Sequence, residues 1–172
     1  MTEPYDRSGD ERALKTPRHL CRVCAGSGRP EGDYGDECEA CVVVDAKLVY
    51  VAGASAEYQR AARFSERLRK RGHRITYDWP ASVASRPEAS LTREERVTTW
   101  IACLGAVRAA DVVIALGPSS SVTVTRGLWA ELGACQAEGG APIYVGREYT
   151  IVTALCECVP DEDAAIEALE AR

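Results

Sequence analysis

Two stretches decide the fold, ADVVIALG at 110–117 and RGLWAELGACQAEGGAPIYVG at 126–146. The first is an unbroken apolar run closed by a glycine, as in a strand buried on both faces of a parallel sheet. The second opens with Gly127, continues as a helix over 128–138, breaks at Gly139 and Gly140, and returns to a strand at 141–146. Strand, loop, helix, strand is one crossover of a parallel sheet.

The same alternation extends outward in both directions. KLVYVAG at 47–53 predicts a first strand, and 56–71 a helix with Ala61, Phe64 and Leu68 on one face and Gly72 at its end. HRITYDW at 73–79 predicts a second strand, the Pro-, Ser- and Ala-rich 80–92 a long loop, and 93–109 a second helix. After the third strand come a second loop at 118–127, the third helix and the fourth strand. CECVP at 156–160 predicts a short fifth strand and 162–170 a closing helix. The expected class is α/β, a doubly wound parallel sheet of Rossmann or flavodoxin-like type with helices on both faces. Ligands in such sheets bind beyond the carboxyl ends of the strands, so the loops at 53–58, 78–92 and 117–127 should surround the site.

Composition bounds the rest. The chain has 172 residues, 46% of them hydrophobic and 27% charged, which provides a core for one α/β domain and a small appendage. Neither a bilayer-spanning apolar run nor an apolar signal region is present, so a soluble, cytoplasmic protein with no membrane partner is expected. A net charge of −5 disfavours nucleic acid as a partner.

Eight cysteines are many for a protein of a reducing compartment. Cys21 and Cys24, then Cys38 and Cys41, form two CxxC pairs separated by the glycine-rich 25–37. Each pair can grip one side of a tetrahedral ion, and four thiolates fill the coordination sphere, so a structural Zn²⁺ is expected. The division is then a flexible tail at 1–17, a zinc knuckle at 18–45 and the α/β domain at 46–172. Cys103 and Cys135 read as small core residues, and Cys156 and Cys158 as alternating positions of an edge strand.

Gly127 and Glu131 place a carboxylate within the first two turns of a helix beside the crevice, where the positive helix end should keep it ionised. Gly53, Ala54 and Ser55 lead from the first strand into a helix, an arrangement that offers backbone N–H groups to an anion. Trp79 and Trp129 flank the crevice, where an indole can stack on a flat ligand. Asp111 starts its strand and should be structural. Arg60, Arg63, Arg67, Arg71 and Arg74 share one side of the first helix, either as a solvated face or as a docking surface for an acidic partner.

From Lys47 onward the chain resembles the nucleoside 2-deoxyribosyltransferase-like family, through YVAGAS at 50–55, GHRITYDW at 72–79, AADVVIAL at 109–116 and GLWAELGACQAEGGAPIYVG at 127–146. The resemblance makes Glu131, in the pattern G-x-x-x-E-x-G, the nucleophile that cleaves the N-glycosidic bond of a deoxynucleoside or its monophosphate, or exchanges its base. It implies no organic cofactor, a homo-oligomer, and a 5′ group held near Gly53–Ser55. It also implies an aspartate where this chain has Cys103, and a second acid where it has Thr125 and Arg126. Three readings of that departure stay open. Asp78 supplies the acid, or the base needs little help, or the fold has become a nucleotide-binding sensor without turnover.

Overall fold

A computed structural model of the chain describes residues 46–86, 88–120, 125–147 and 150–172. The tail and the cysteine knuckles, Cys21, Cys24, Cys38 and Cys41 included, lie outside the described residues.

Five strands form one sheet: β1 (Leu48–Ala52), β2 (Arg74–Ile75), β3 (Val112–Leu116), β4 (Ile143–Val145) and β5 (Glu157–Val159). Their order is β2-β1-β3-β4-β5 and every neighbouring pair is parallel. The expected class is therefore the observed one, in the flavodoxin-like order. Helices α1 (Tyr58–Lys70) and α5 (Glu162–Glu170) pack against β1–β2 and β4–β5, whereas α3 (Arg93–Ala109) and α4 (Arg126–Ala137) pack on each other and on the central strands. The three central strands are almost wholly buried, as a sheet covered on both faces requires. Among the described residues no helix is long and apolar enough to cross a membrane.

Two expectations need correction. The second strand is only Arg74–Ile75, and 80–92 is not all loop, because a helix α2 (Trp79–Ser85) and a 3-10 turn (Glu88–Ser90) occupy most of it. Asp78 explains the change of course. Its Oδ1 accepts from the Ala81 backbone N–H at 3.3 Å, and Pro80 sits in the first turn, where a missing N–H costs nothing. The first helix also starts later than expected, with a 3-10 turn over Ser55–Glu57 before Tyr58.

Asp111 is structural, as expected. Its Oδ2 accepts from Leu48 N–H at 2.7 Å, and its own N–H donates to the Leu48 carbonyl at 2.8 Å, which ties the amino ends of β1 and β3. The arginine face of α1 is largely consumed within the chain. Arg60 and Arg67 meet the two carboxylate oxygens of Glu162 at 2.9 and 3.0 Å, Arg67 also pairs with Asp163, and Arg71 pairs with Glu170 at 3.0 Å. These cations hold α1 against α5 instead of facing outward for a partner.

Candidate active site

The sheet reverses its winding between β1 and β3, and the loops leaving those two strands are tied together there. Glu57 Oε1 accepts from both the N–H and the Oγ of Ser119, each at 2.9 Å. Arg60 Nη1 donates to the Gly117 carbonyl at 2.7 Å. Gly117 admits no side chain, because a Cβ would lie 2.6 Å from the Tyr144 hydroxyl and 2.6 Å from the Val145 carbonyl. The crevice expected for a ligand thus has two fixed lips, built by Glu57, which reading the sequence did not single out, and by Arg60, which it placed only on the arginine face of the first helix.

Below the lips, α4 turns Leu128, Glu131, Leu132 and Cys135 onto the sheet, the i, i+3, i+4, i+7 set of an inward face. Glu131 occupies a position that packing alone would give to an apolar residue, and it is only 6% exposed. The hydroxyl of Tyr50, at the centre of β1, donates to its Oε1 at 2.7 Å. Its Oε2 is buried and has no hydrogen-bond partner among the described residues. Cys103, from α3, lies beside the pair and interacts with the Tyr50 hydroxyl.

Burial dominates the electrostatics of this cluster. It raises the Glu131 carboxyl from its ordinary 4.5 to about 7, and the bond from Tyr50 offsets only part of the rise. The expectation of a carboxyl kept ionised by the helix end is corrected here. A helix terminus contributes about 0.3–1 kcal/mol at a surface site, whereas this rise corresponds to roughly 3 kcal/mol at ~1.4 kcal/mol per pKa unit. Burial, and next the charge of Glu131, keep the Tyr50 phenol protonated, and burial likewise raises the Cys103 thiol. At neutral pH Glu131 is therefore divided between carboxylate and acid, while Tyr50 remains a donor.

Tyr50 and Ala52 share a sheet face, and parallel register sets Ala115 beside Ala52 and Tyr144 beside Ala115. Ala52 and Ala115 contribute only methyl groups to that face, and Val113, in register with Tyr50, adds an isopropyl group. Trp129 closes the far side, its ring stacked on Tyr144 at 6.0 Å and 25°.

The other expected residues fall into distinct places. Trp79 is 7% exposed, its Nε1 donates to the Val51 carbonyl at 2.7 Å, and its ring lies where a Cβ on Gly53 would touch it at 3.4 Å. It props up the loop after β1 from within the core, so its face is not open for stacking. Ala54 is buried and Ser55 half-buried at the start of the 3-10 turn. Gly127 is exposed in the first turn of α4, with open space around it. Asp78 is engaged twice, by Ala81 N–H and by Arg69 Nη2 at 2.6 Å. It lines a groove of about 390 Å³ between α1 and α2 together with Tyr58, Arg63 and Pro80, apart from Tyr50, Cys103 and Glu131. A second cleft of about 450 Å³ opens at the ends of β3 and β4, bordered by Gly117, Ser119, Gly146 and Asp161.

Tyr50→Phe is expected to raise the Glu131 pKa further, since the lost bond is the contribution that lowers it. It should also destabilise the fold by about 1–3 kcal/mol near neutral pH, because a buried carboxyl oxygen loses its donor. Denaturant melts of the variant across pH check both. An unchanged pH dependence would show that the hydroxyl does not hold the carboxylate.

No family model and no curated protein matches this chain. Among solved structures it is similar to the CMP N-glycosidase BcmB of Clostridium botulinum, at 16% identity and a TM-score of 0.44, over 72% of this chain and 99% of that one.

Proposed function

We propose that this chain cleaves the N-glycosidic bond of a deoxynucleoside or deoxynucleoside monophosphate, or exchanges its base, with Glu131 as the nucleophile. The observation that carries the reading is a buried carboxyl whose Oε1 is fixed by Tyr50 while Oε2 has no described partner. A carboxylate so placed has one oxygen oriented and the other uncommitted to a described donor, and because that oxygen is buried a substrate must open the crevice to reach it.

The ionised Oε2 attacks the anomeric carbon as the carbon–nitrogen bond breaks, and the bonding electrons leave with the base, which takes up a proton. The positive charge that develops on the sugar is countered by the carboxylate, and a covalent glycosyl ester results. Water, or a second base, then attacks the same carbon, and the Glu131 carboxylate departs. In this scheme Gly53–Ser55 receive the 5′ end of the sugar and Trp129 flanks the base. Asp78 remains the proposed proton donor to the base at a definite cost, since it must leave Arg69 and Ala81, take up a proton from water and reach the crevice from the groove it lines. No organic cofactor enters the scheme, and two or more copies of the chain are proposed to assemble.

The test is incubation of the full chain with a panel of deoxynucleosides and their monophosphates, with and without a second base. Chromatography would follow free base and exchanged product. Product formed by the wild type and lost in Glu131→Gln supports the proposal. Nucleotide that raises the melting temperature with no turnover across the panel would replace it with the sensor reading, which the Cys103 position favours.

The four thiolates of Cys21, Cys24, Cys38 and Cys41 stay proposed as a structural Zn²⁺ site. The purified chain is expected to retain one equivalent of zinc by elemental analysis, and Cys24→Ser to lose it. Metal-free wild-type protein with an unchanged melting temperature would end that proposal.

A further inference from the structure

Helix α3 buries Cys103, Ala106 and Val107 on its inner side. Its outer side carries an apolar stripe that stays exposed. Val97 is 50% and Ile101 63% exposed, with Trp100 on their flank at 37%. Gly105 continues the stripe, in the interior of a helix where glycine costs about 1 kcal/mol relative to alanine. A Cβ at that position would meet nothing among the described residues, whose fold therefore does not require the glycine. Exposed Glu94 and Arg108 close the stripe at its two ends.

From these positions we infer that α3 is a self-pairing surface whose partner is a second copy of this chain, packed antiparallel about a twofold axis through Ile101. Glu94 and Arg108 each stand seven residues from Ile101, and Val97 and Gly105 each stand four. Antiparallel pairing therefore sets Ile101 on the partner's Ile101, Val97 into the space over the partner's Gly105, and Glu94 against the partner's Arg108. A two-fold interface must be self-complementary in this way. The missing Cβ at Gly105 is what lets two helix backbones approach closely. Parallel pairing would oppose Glu94 to its own copy and Arg108 to its own copy, so charge selects the antiparallel arrangement. Arg108 also meets Glu138 of α4 through its Nε at 3.1 Å, which links the end of the stripe to the helix that carries Glu131.

The inference deepens the two-copy part of the proposed function and takes nothing from the glycosidase chemistry. Pairing on this face would brace α3, the helix that sets Cys103 beside Tyr50.

Sedimentation or light scattering of the full chain across micromolar concentrations is expected to show a dimer. Ile101→Lys brings two ammonium groups together on the axis and should weaken association at least ~100-fold, with the circular dichroism spectrum unchanged because the position is exposed. Glu94→Arg and Arg108→Glu should each weaken the dimer, and the two together should restore it. A monomeric wild type, a dimer indifferent to Ile101→Lys, or a double exchange without recovery would each overturn the inference. A dimer with no turnover would leave it standing and remove the glycosidase reading, and Glu131-dependent turnover by a monomer would do the reverse.

Discussion

Glu131→Gln is expected to lower turnover at least ~1,000-fold while leaving the fold intact, because the amide keeps the shape and removes the attacking oxygen. The pH dependence adds a sharper test. With the carboxyl pushed up to about 7, the ionised nucleophile is the minor form at pH 6 and the major form at pH 8. The value of kcat/KM should therefore rise with pH through about 7 and level off above it, as it does when a free-enzyme group must be deprotonated. A profile that falls through the same range would mean that protonated Glu131 acts as an acid, and the nucleophilic scheme would have to be abandoned. A flat profile together with an active Glu131→Gln would place the chemistry elsewhere.

The second large effect concerns stability. Glu131 is raised in the folded chain, from 4.5 to about 7, so between those values the folded state binds more protons than the unfolded one. Stability attributable to this group then falls as pH rises from about 4.5 to about 7, and is constant outside that window. The full swing is roughly 3 kcal/mol, at ~1.4 kcal/mol per unit for a carboxyl that is almost completely buried. Glu131→Gln lacks the titration. Relative to wild type, it should gain up to roughly 3 kcal/mol between pH 4.5 and pH 8, measured by denaturant melts of both proteins at each pH. Comparing the two proteins cancels the other titrating groups. A constant difference across the range would show that the native carboxylate is stabilised by a partner as well as by Tyr50.

Such a cost is characteristic of a position kept for chemistry. Leu128, Leu132 and Cys135 on the same face of α4 do what packing asks, and Glu131 among them does not. A leucine there would satisfy the periodicity and relieve the burial penalty. A buried carboxyl that strains the fold near neutral pH, held by a single donor, is where a site hypothesis has a physical basis.

Much of the architecture was written in the chain. Strands covered on both faces are continuous apolar runs, so β1, β3 and β4 could be read directly from 47–53, 110–117 and 141–146. Helix α3 was legible to the residue at both ends, and Thr92 explains its start by exchanging hydrogen bonds with Glu95 at 3.3 and 2.7 Å. Helix α2 was missed because seven residues are too few to establish a period, and its proline and serines resemble a loop. The signal available was Asp78 followed by Pro80, a cap and a first-turn proline.

The site was legible only as residue types. Reading the sequence could put Glu131 near a helix start, and from there it inferred an ionised carboxylate. Its actual state is decided by burial against a sheet and by Tyr50, 81 residues away, whose hydroxyl nothing in the local pattern singles out. The arginines of α1 follow the same rule. Their spacing marks a cationic face, but whether that face serves a partner or the chain itself depends on Glu162 and Glu170, which α5 brings across from about 100 residues later. Local chemistry, set by neighbours three or four residues apart, was determined by the sequence alone. Protonation, pairing and exposure are properties of what surrounds a side chain, and for Glu131, Asp78 and Trp79 only the folded chain supplied those surroundings.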